Sequence, residues 1–298
     1  MKSPKSLLLL LMLLLAVLTA PFARGQSNTS TNLHCVWRVT GASNTVYLVG
    51  SIHLLKPSDY PLAAPIEAAF TNSQVVAFET DIGQIDNPAT QFGMLGKITL
   101  PEGQTLEDQL SPETWQAFTN HVTQAGLPLF MFNRFKPVMA AMTLEVMEIE
   151  NLGVDPLLGL DKHYYQIAKT EGKQIVPLET VDFQLSLITD FSKEEGEAMM
   201  KAELKDMDNS EQNFNDLMQC WRTGNGNKLA DLLNDAMKDS PTLYQRLVTN
   251  RNQNWVPRIQ EFLAGNKNAV VIVGAAHLVG PDGVVELLKK KGLKVTQL

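Results

Sequence analysis

Two of the five histidines in the 298-residue sequence share an unusual setting. His53 closes the segment Gly50-Ser51-Ile52-His53, and His277 closes Gly274-Ala275-Ala276-His277. Each segment directly follows an apolar, β-prone run, Val46–Val49 in the first case and Ala269–Val273 in the second. With 19 Gly and 5 His in the chain, chance supplies roughly 0.3 Gly-x-x-His matches, so two in one context carry information. A glycine at a strand end lets the backbone turn sharply or approach a ligand closely. A histidine three residues later then points back over the sheet edge, where open α/β sheets form their sites. His53 and His277 are therefore expected to meet, although 224 positions separate them.

Two carboxylates end apolar runs in the same manner. Glu79 follows Val75–Phe78, and Glu179 follows Gln174–Leu178. Asp81 falls on the same side as Glu79 if that strand continues. His53, Glu79, Glu179 and His277 form a candidate constellation at one end of a sheet. Imidazole and carboxylate are ordinary ligands of Zn2+, Mn2+ and similar ions, and an uncoordinated carboxylate can serve as general base on a metal-bound water. Each residue also has a plainer reading. A strand-end histidine is often a hydrogen-bonded structural residue, and an acid at that place often caps the next helix. The shared context favours one functional site. Arg251 suits an anionic group or an oxyanion, although on spacing alone it reads more readily as a surface arginine. His163 lies on a helix expected to be capped by Asp161, while His34 and His121 lack any comparable context.

Other catalytic classes leave no trace. The sequence has no Gly-x-Ser-x-Gly elbow, and no His-Glu-x-x-His helix, Walker loop or dinucleotide fingerprint.

The elements that must position these residues alternate in type. Short β-prone runs at Val36–Val39 and Val46–Val49 flank Gly41-Ala42-Ser43-Asn44, a hairpin signal. Helices are expected near Pro61–Phe70, after Ser111-Pro112, over Lys136–Glu150, and from Asp161 to Gly172. Residues 182–264 read as almost wholly helical. Ser192 and Glu195 form a capping box there, and Phe214, Leu217, Met218 and Trp221 fall on one face. Pro257 conflicts with an uninterrupted helix carrying Trp255, Ile259 and Phe262, so that helix is expected to start late or kink. A helix over Pro281–Lys291 and a short strand over Lys294–Gln297 close the chain. Strands alternating with helices indicate an α/β fold, a mixed sheet with flanking helices and a large helical insertion or cap.

Bulk properties bound the function. Lys2 and Lys5, the apolar run Leu7–Ala20 and the small residues Ala23 and Gly25 read as a secretory signal peptide over residues 1–25. Residues 26–33 read as a loose tail before a domain spanning 34–298. Removing three positive charges with the signal takes the formal net charge from −7 to −10. That balance argues against nucleic acid as a partner and against anionic membranes once the signal is cleaved. Periplasmic or secreted localisation follows. The two cysteines, Cys35 and Cys220, read either as one disulfide, as expected of an exported chain, or as two buried thiols.

Taken together, these motifs resemble the TraB/GumN family, which includes the TIKI-type metalloproteases and is remotely related to erythromycin-esterase-like and ChaN-like proteins. The resemblance runs from about Trp37 to the C-terminus. It rests on Val46-Tyr47-Leu48-Val49-Gly50-Ser51-Ile52-His53, with Ser51 where Thr is more usual, on Glu79, on Gly159-Leu160-Asp161 and on Leu178-Glu179-Thr180. It also rests on Arg251-Asn252 and on Val273-Gly274-Ala275-Ala276-His277-Leu278. Trp221 and Gly224-Asn225 stand where the family has Trp and Gly-Asp, which marks this Gly turn as structural. The resemblance implies an EreA/ChaN-like α/β fold and metal-dependent hydrolysis of a peptide or small-molecule substrate. The implied metal ligands are His53, Glu79 and His277, for Mn2+, Co2+ or Zn2+. Glu179 is implied as ligand or base, and Arg251 as the group that binds substrate or polarises its carbonyl. The rival expectation is a non-catalytic protein that sequesters a peptide, haem or another small ligand in the same cleft.

Overall fold

The computed structural model describes residues 33–298; the signal peptide expected over 1–25 lies outside the described residues. The strands are β1 (Val36–Thr40), β2 (Thr45–Ser51), β3 (Val75–Phe78), β4 (Gln174–Pro177), β5 (Ala269–Gly274) and β6 (Val295–Gln297). They form one mixed sheet in the order β4-β3-β5-β2-β1-β6. The first hairpin and β6 are antiparallel, whereas β2, β5, β3 and β4 run parallel. The near-continuous apolar runs at β3 and β5 are what a parallel strand covered on both faces requires. Every residue of both is buried. Because the four parallel strands share a direction, their carboxyl ends lie along one edge, and His53, Glu79, Glu179 and His277 all follow those ends.

Helix α1 (Ala64–Thr71) lies between β2 and β3. Between β3 and β4 come α2 (Ile82–Ile85), α3 (Pro88–Ile98), α4 (Pro112–Gln124), α5 (Pro137–Glu150) and α6 (Leu160–Thr170). From β4 to β5 the chain is helical, through α7 (Val181–Thr189), α8 (Lys193–Asp206), α9 (Ser210–Arg222), α10 (Gly226–Met237), α11 (Pro241–Tyr244) and α12 (Asn250–Ala264). A π-helical turn, Gln245–Thr249, joins α11 to α12. Helix α13 (Val284–Lys290) precedes β6. No helix among the described residues is long and apolar enough to cross a membrane.

The local signals act as expected where the partner is a neighbour in sequence. Ser111 accepts from the Thr114 N–H ahead of Pro112, and Ser192 and Glu195 close their capping box. Gly224 adopts φ +60°, and a Cβ there would stand 2.5 Å from the Leu33 carbonyl carbon, so this turn is built for close backbone approach. Three expectations are corrected. Strand β3 stops at Phe78, and Asp81 does not continue it but caps α2, accepting from the Gly83 and Gln84 N–H groups. Helix α6 starts at Leu160 with Gly159, not Asp161, at its N-cap, and Asp161 is buried in the first turn. Pro257 does not delay α12, which runs from Asn250 through it to Ala264.

Cys35 and Cys220 are present as buried thiols. Burial, with Cys220 nearby, pushes the Cys35 thiol up to about 12.

Candidate functional site

The two Gly-x-x-His segments stand side by side. Strands β2 and β5 pair in parallel with Gly50 opposite Val273 and Ser51 opposite Gly274. Contact is close: a Cβ on Gly50 would lie 2.9 Å from the Ala275 Cβ and 3.2 Å from the Cys35 Cβ. Any larger residue at position 50 forces the two turns apart. The Gly50 carbonyl accepts from the Trp221 indole N–H at 2.8 Å, which ties this junction to α9. Gly274 contributes its own N–H, donated at 2.7 Å to Glu79 Oε1.

His53 is held from α6. Its Nδ1 lies 2.8 Å from Asp161 Oδ1, which also accepts from the Ser51 hydroxyl at 3.1 Å. Gly159 permits this approach, since a Cβ there would be 2.5 Å from the His53 carbonyl oxygen. Burial alone drives the Asp161 carboxyl upward, but His53 and the hydrogen bonds outweigh it and the net displacement is downward. As a carboxylate Asp161 accepts the Nδ1 proton, which leaves the lone pair of a neutral His53 on Nε2.

Arg251 is the hub of the site. Far from being a surface residue, it is 0 % exposed. Its Nε donates to Glu179 at 3.0 Å, and its Nη2 donates to Glu79 Oε2 at 2.6 Å and Glu179 Oε2 at 2.8 Å. Nη1 reaches the Leu247 carbonyl at 3.4 Å and His277 Nε2 at 3.0 Å. A guanidinium has five N–H donors, and these contacts engage all of them within the protein. Gln184, on α7, gives Glu79 Oε2 a further donor at 2.9 Å. Burial opposes the Arg251 charge, but the two carboxylates more than offset it and its pKa rises. Glu179 moves upward as well, because burial and the neighbouring Glu79 outweigh the help from Arg251. One guanidinium shared by two acids supports its own charge better than that of Glu179.

His277 has a defined tautomer. Asn252 Nδ2 donates to the carbonyls of His277 and Asp282, so Asn252 Oδ1 is the acceptor for His277 Nδ1 at 2.7 Å. His277 Nε2 then accepts from Arg251. Burial, Arg251 and His53 together hold this imidazole far below its usual range, so it is neutral. Trp255 packs against it, with ring centroids 4.5 Å apart, and also lies 4.8 Å from the Arg251 guanidinium carbon.

A small cavity of about 20 Å³ lies at the strand ends, lined by Ser51, His53, Glu79, Thr80, Asp161 and Gln184 together with apolar side chains. That is room for about one water molecule. Thr80 is 5 % exposed and its hydroxyl has no hydrogen-bond partner among the described residues.

The implied metal can be tested against these donors. His53 suits it, with Nδ1 fixed by Asp161, the arrangement that orients ligand histidines; His277 has its Nδ1 fixed by Asn252, but its Nε2 already accepts from Arg251. Glu79 and Glu179 do not suit it as they stand, since Arg251, Gln184 and the Gly274 N–H hold their oxygens. Among the described residues no group of three His, Cys, Asp or Glu side chains is gathered to hold an ion. The residues in this arrangement therefore do not complete a metal site.

The profile of the TraB/PrgY/gumN family matches residues 35–297, from the first residue before β1 to the last of β6. This chain belongs to the TraB/PrgY/gumN family. It is 24% identical over 243 residues to the uncharacterized protein YbaP of Escherichia coli strain K12, covering 82% of this chain and 87% of that one. The same figures hold for YbaP of Shigella flexneri. No solved structure matches the chain.

For this TraB/PrgY/gumN member, all five sequence-derived site residues follow strand ends or face them at one sheet edge: Arg251 links Glu79, Glu179 and His277, and His53 shares the cavity lining with Glu79. His163 does not join them; its ring packs against Tyr60 and Tyr164 at 5.0 Å. Residues that spacing did not single out are Asp161 as partner of His53, Asn252 as partner of His277, Gln184 on Glu79, and Thr80 in the cavity. Asp161 and Asn252 stood inside motifs of the family resemblance, the one signal that pointed to them.

Proposed function

We propose that this chain is an exported hydrolase acting on peptide bonds, with its reaction centre at the cavity beside His53. The observation that supports this reading most is the His53–Asp161 pair, an imidazole oriented by a buried carboxylate at the mouth of a water-sized cavity. In that pair His53 Nε2 takes a proton from water as the water oxygen bonds to the carbonyl carbon, Asp161 stabilises the imidazolium that forms, and the imidazolium returns the proton to the amine nitrogen as the C–N bond breaks. The Thr80 hydroxyl supplies a donor to the water or to the carbonyl oxygen. Arg251 and Glu179 act differently from the sequence expectation in this arrangement. Their groups are spent on one another, so they fix Glu79 and His277 and set the field of the site. Arg251 holds Glu79, Glu179 and His277 in this arrangement and His53 Nε2 is the base, so Mn2+, Co2+ and Zn2+ enter as conditions of the test and carry no step of this reading.

The sequestration reading has weaker support. A pocket that encloses a drug-sized ligand occupies about 300–1,000 Å³; the cavity of about 20 Å³ encloses no such ligand, whereas hydrolysis needs it to hold only the attacking water.

The test is cleavage of a peptide library by residues 26–298 with each of the three ions. Wild type is expected to cleave, with His53→Ala and Asp161→Asn slowed about 10²- to 10⁴-fold. Absence of cleavage in every condition, or full activity in both variants, would remove the reading.

A further inference from the structure

The donors at the strand ends pose a contradiction. Two imidazoles are set as ligands are set, yet the carboxylates that would complete an ion's shell are already gripped by a cation. We propose that Arg251 is the resident cation of this site and that a divalent ion and the Arg251 bridge are mutually exclusive occupants of it.

Three contacts carry the proposal. The two Nη atoms of Arg251 touch Glu79 Oε2 at 2.6 Å, Glu179 Oε2 at 2.8 Å and His277 Nε2 at 3.0 Å. Those are three of the four side chains of the constellation, each addressed through the atom that would coordinate. Zn2+ holds nitrogen and oxygen ligands at about 2.0–2.2 Å, so an ion on the same atoms would sit where the guanidinium now is. Charge points the same way. One guanidinium carries a single positive charge against two carboxylates, Glu79 and Glu179, whereas a divalent ion would match both.

The backbone offers a route for exchange. Arg251 lies in the first turn of α12, immediately after the π-helical turn Gln245–Thr249, and its Nη1 contacts the carbonyl of Leu247 within that turn. A π-turn holds one residue more than the α-helical ladder needs, and such turns collect at functional sites. Passing that extra residue beyond Arg251 turns its side chain by about 100° around the helix axis, away from Glu79 and Glu179.

The proposal uses the site reading above only for its location, and its test needs no hydrolysis. Titration calorimetry and thermal melts with ZnCl2 would compare wild type, Arg251→Met and Arg251→Met/Glu179→Gln. The double variant removes one carboxylate together with the cation and so keeps the buried charge in balance. Both variants are expected to bind Zn2+ at least tenfold more tightly than wild type and to gain more in Tm from it, reversibly with EDTA. In wild type labelled with 15N, Zn2+ uptake should remove the protected Arg251 Nε–H resonance in step with binding. A folded double variant that takes up Zn2+ no better than wild type would overturn the proposal. So would wild type that binds Zn2+ with that resonance unchanged. Loss of peptide cleavage in every assay, with the exchange intact, would sink the hydrolase reading and leave this one standing.

Discussion

The two Gly-x-x-His turns lie on neighbouring strands, yet their histidines are built for different work. His53 is paired with a carboxylate, Asp161, and lines a cavity. His277 is paired with a neutral amide, Asn252, and lies against the guanidinium of Arg251 and the ring of Trp255. An anion beside an imidazole favours its protonation, and a cation beside it forbids protonation. The same four-residue motif thus places one imidazole able to accept a proton and another locked as a neutral acceptor. The partner supplied by the facing helix decides the role, not the turn.

Five substitutions or conditions would break or sharpen this contrast. The largest effect is expected from Arg251→Ala, which leaves Glu79 and Glu179 buried without their cation and should cost about 3–5 kcal/mol in a guanidinium melt. The His53 side should be untouched, so an intact NMR signature for the His53–Asp161 pair is part of the expectation. Asp161→Asn is expected to cost about 1.5–3 kcal/mol, the usual worth of a hydrogen bond to a charged group. Its mark should be a changed tautomer at His53 and none at His277. Gly50→Ala pushes against Ala275 and should cost about 1–3 kcal/mol by overpacking. Because Gly50 and Ala275 belong to the two turns, both histidine environments should shift together in NMR spectra; a shift at only one would show that the turns are not mechanically joined.

The smallest effect is pH dependence. His277 is held neutral in the folded chain, whereas the unfolded chain takes up its proton near 6.5. A histidine whose folded pKa is depressed adds stability that is complete above the unfolded value and declines as pH falls below it, by up to about 1.4 kcal/mol per pH unit. His163, lowered to about 4 by burial, acts in the same direction between those values. Glu179, raised by burial, acts oppositely and favours the fold as acid is added through its folded pKa. Asp161 enters only below its unfolded value of 3.8. In melts from pH 7 to 5, His277→Gln should therefore flatten the slope relative to wild type. Equal slopes would mean that His277 is not held neutral. Asn252→Asp should raise the His277 pKa and bring it nearer to His53 in behaviour, read from its ring-proton titration.

Much of this arrangement was legible before any coordinates, and the limit has a physical cause. Strand ends, turn glycines and caps depend on residues a few positions apart, so Val75–Phe78, Ala269–Gly274, Ser111 and Ser192 could be read directly. His53, Glu79, Glu179 and His277 are expected at one edge because a parallel sheet sends all its carboxyl ends the same way. It could not assign partners. Asp161 has the spacing of a helix cap, and only the approach of Gly159 to His53 turns it into an imidazole's acceptor. Arg251 looks like any charged residue near a helix start. Its burial follows from Glu79, 172 positions away, and Glu179, 72 away, arriving on adjacent strands. Long-range electrostatic pairing leaves no periodicity to read.

The position of β5 has a consequence for timing. Strands β1 and β2 form one ribbon and β3 with β4 form another, and no ladder joins them directly; β5 is the strand that hydrogen-bonds to both. It begins at Ala269, after more than two hundred residues of the domain have been threaded past. Until that strand arrives, Glu79 lacks the Gly274 amide, Arg251 lacks His277, and the two ribbons are separate pieces. The central strand acts as a late keystone. A chain with this order has no assembled strand-end centre until Ala269–Gly274 takes its place in the middle of the sheet.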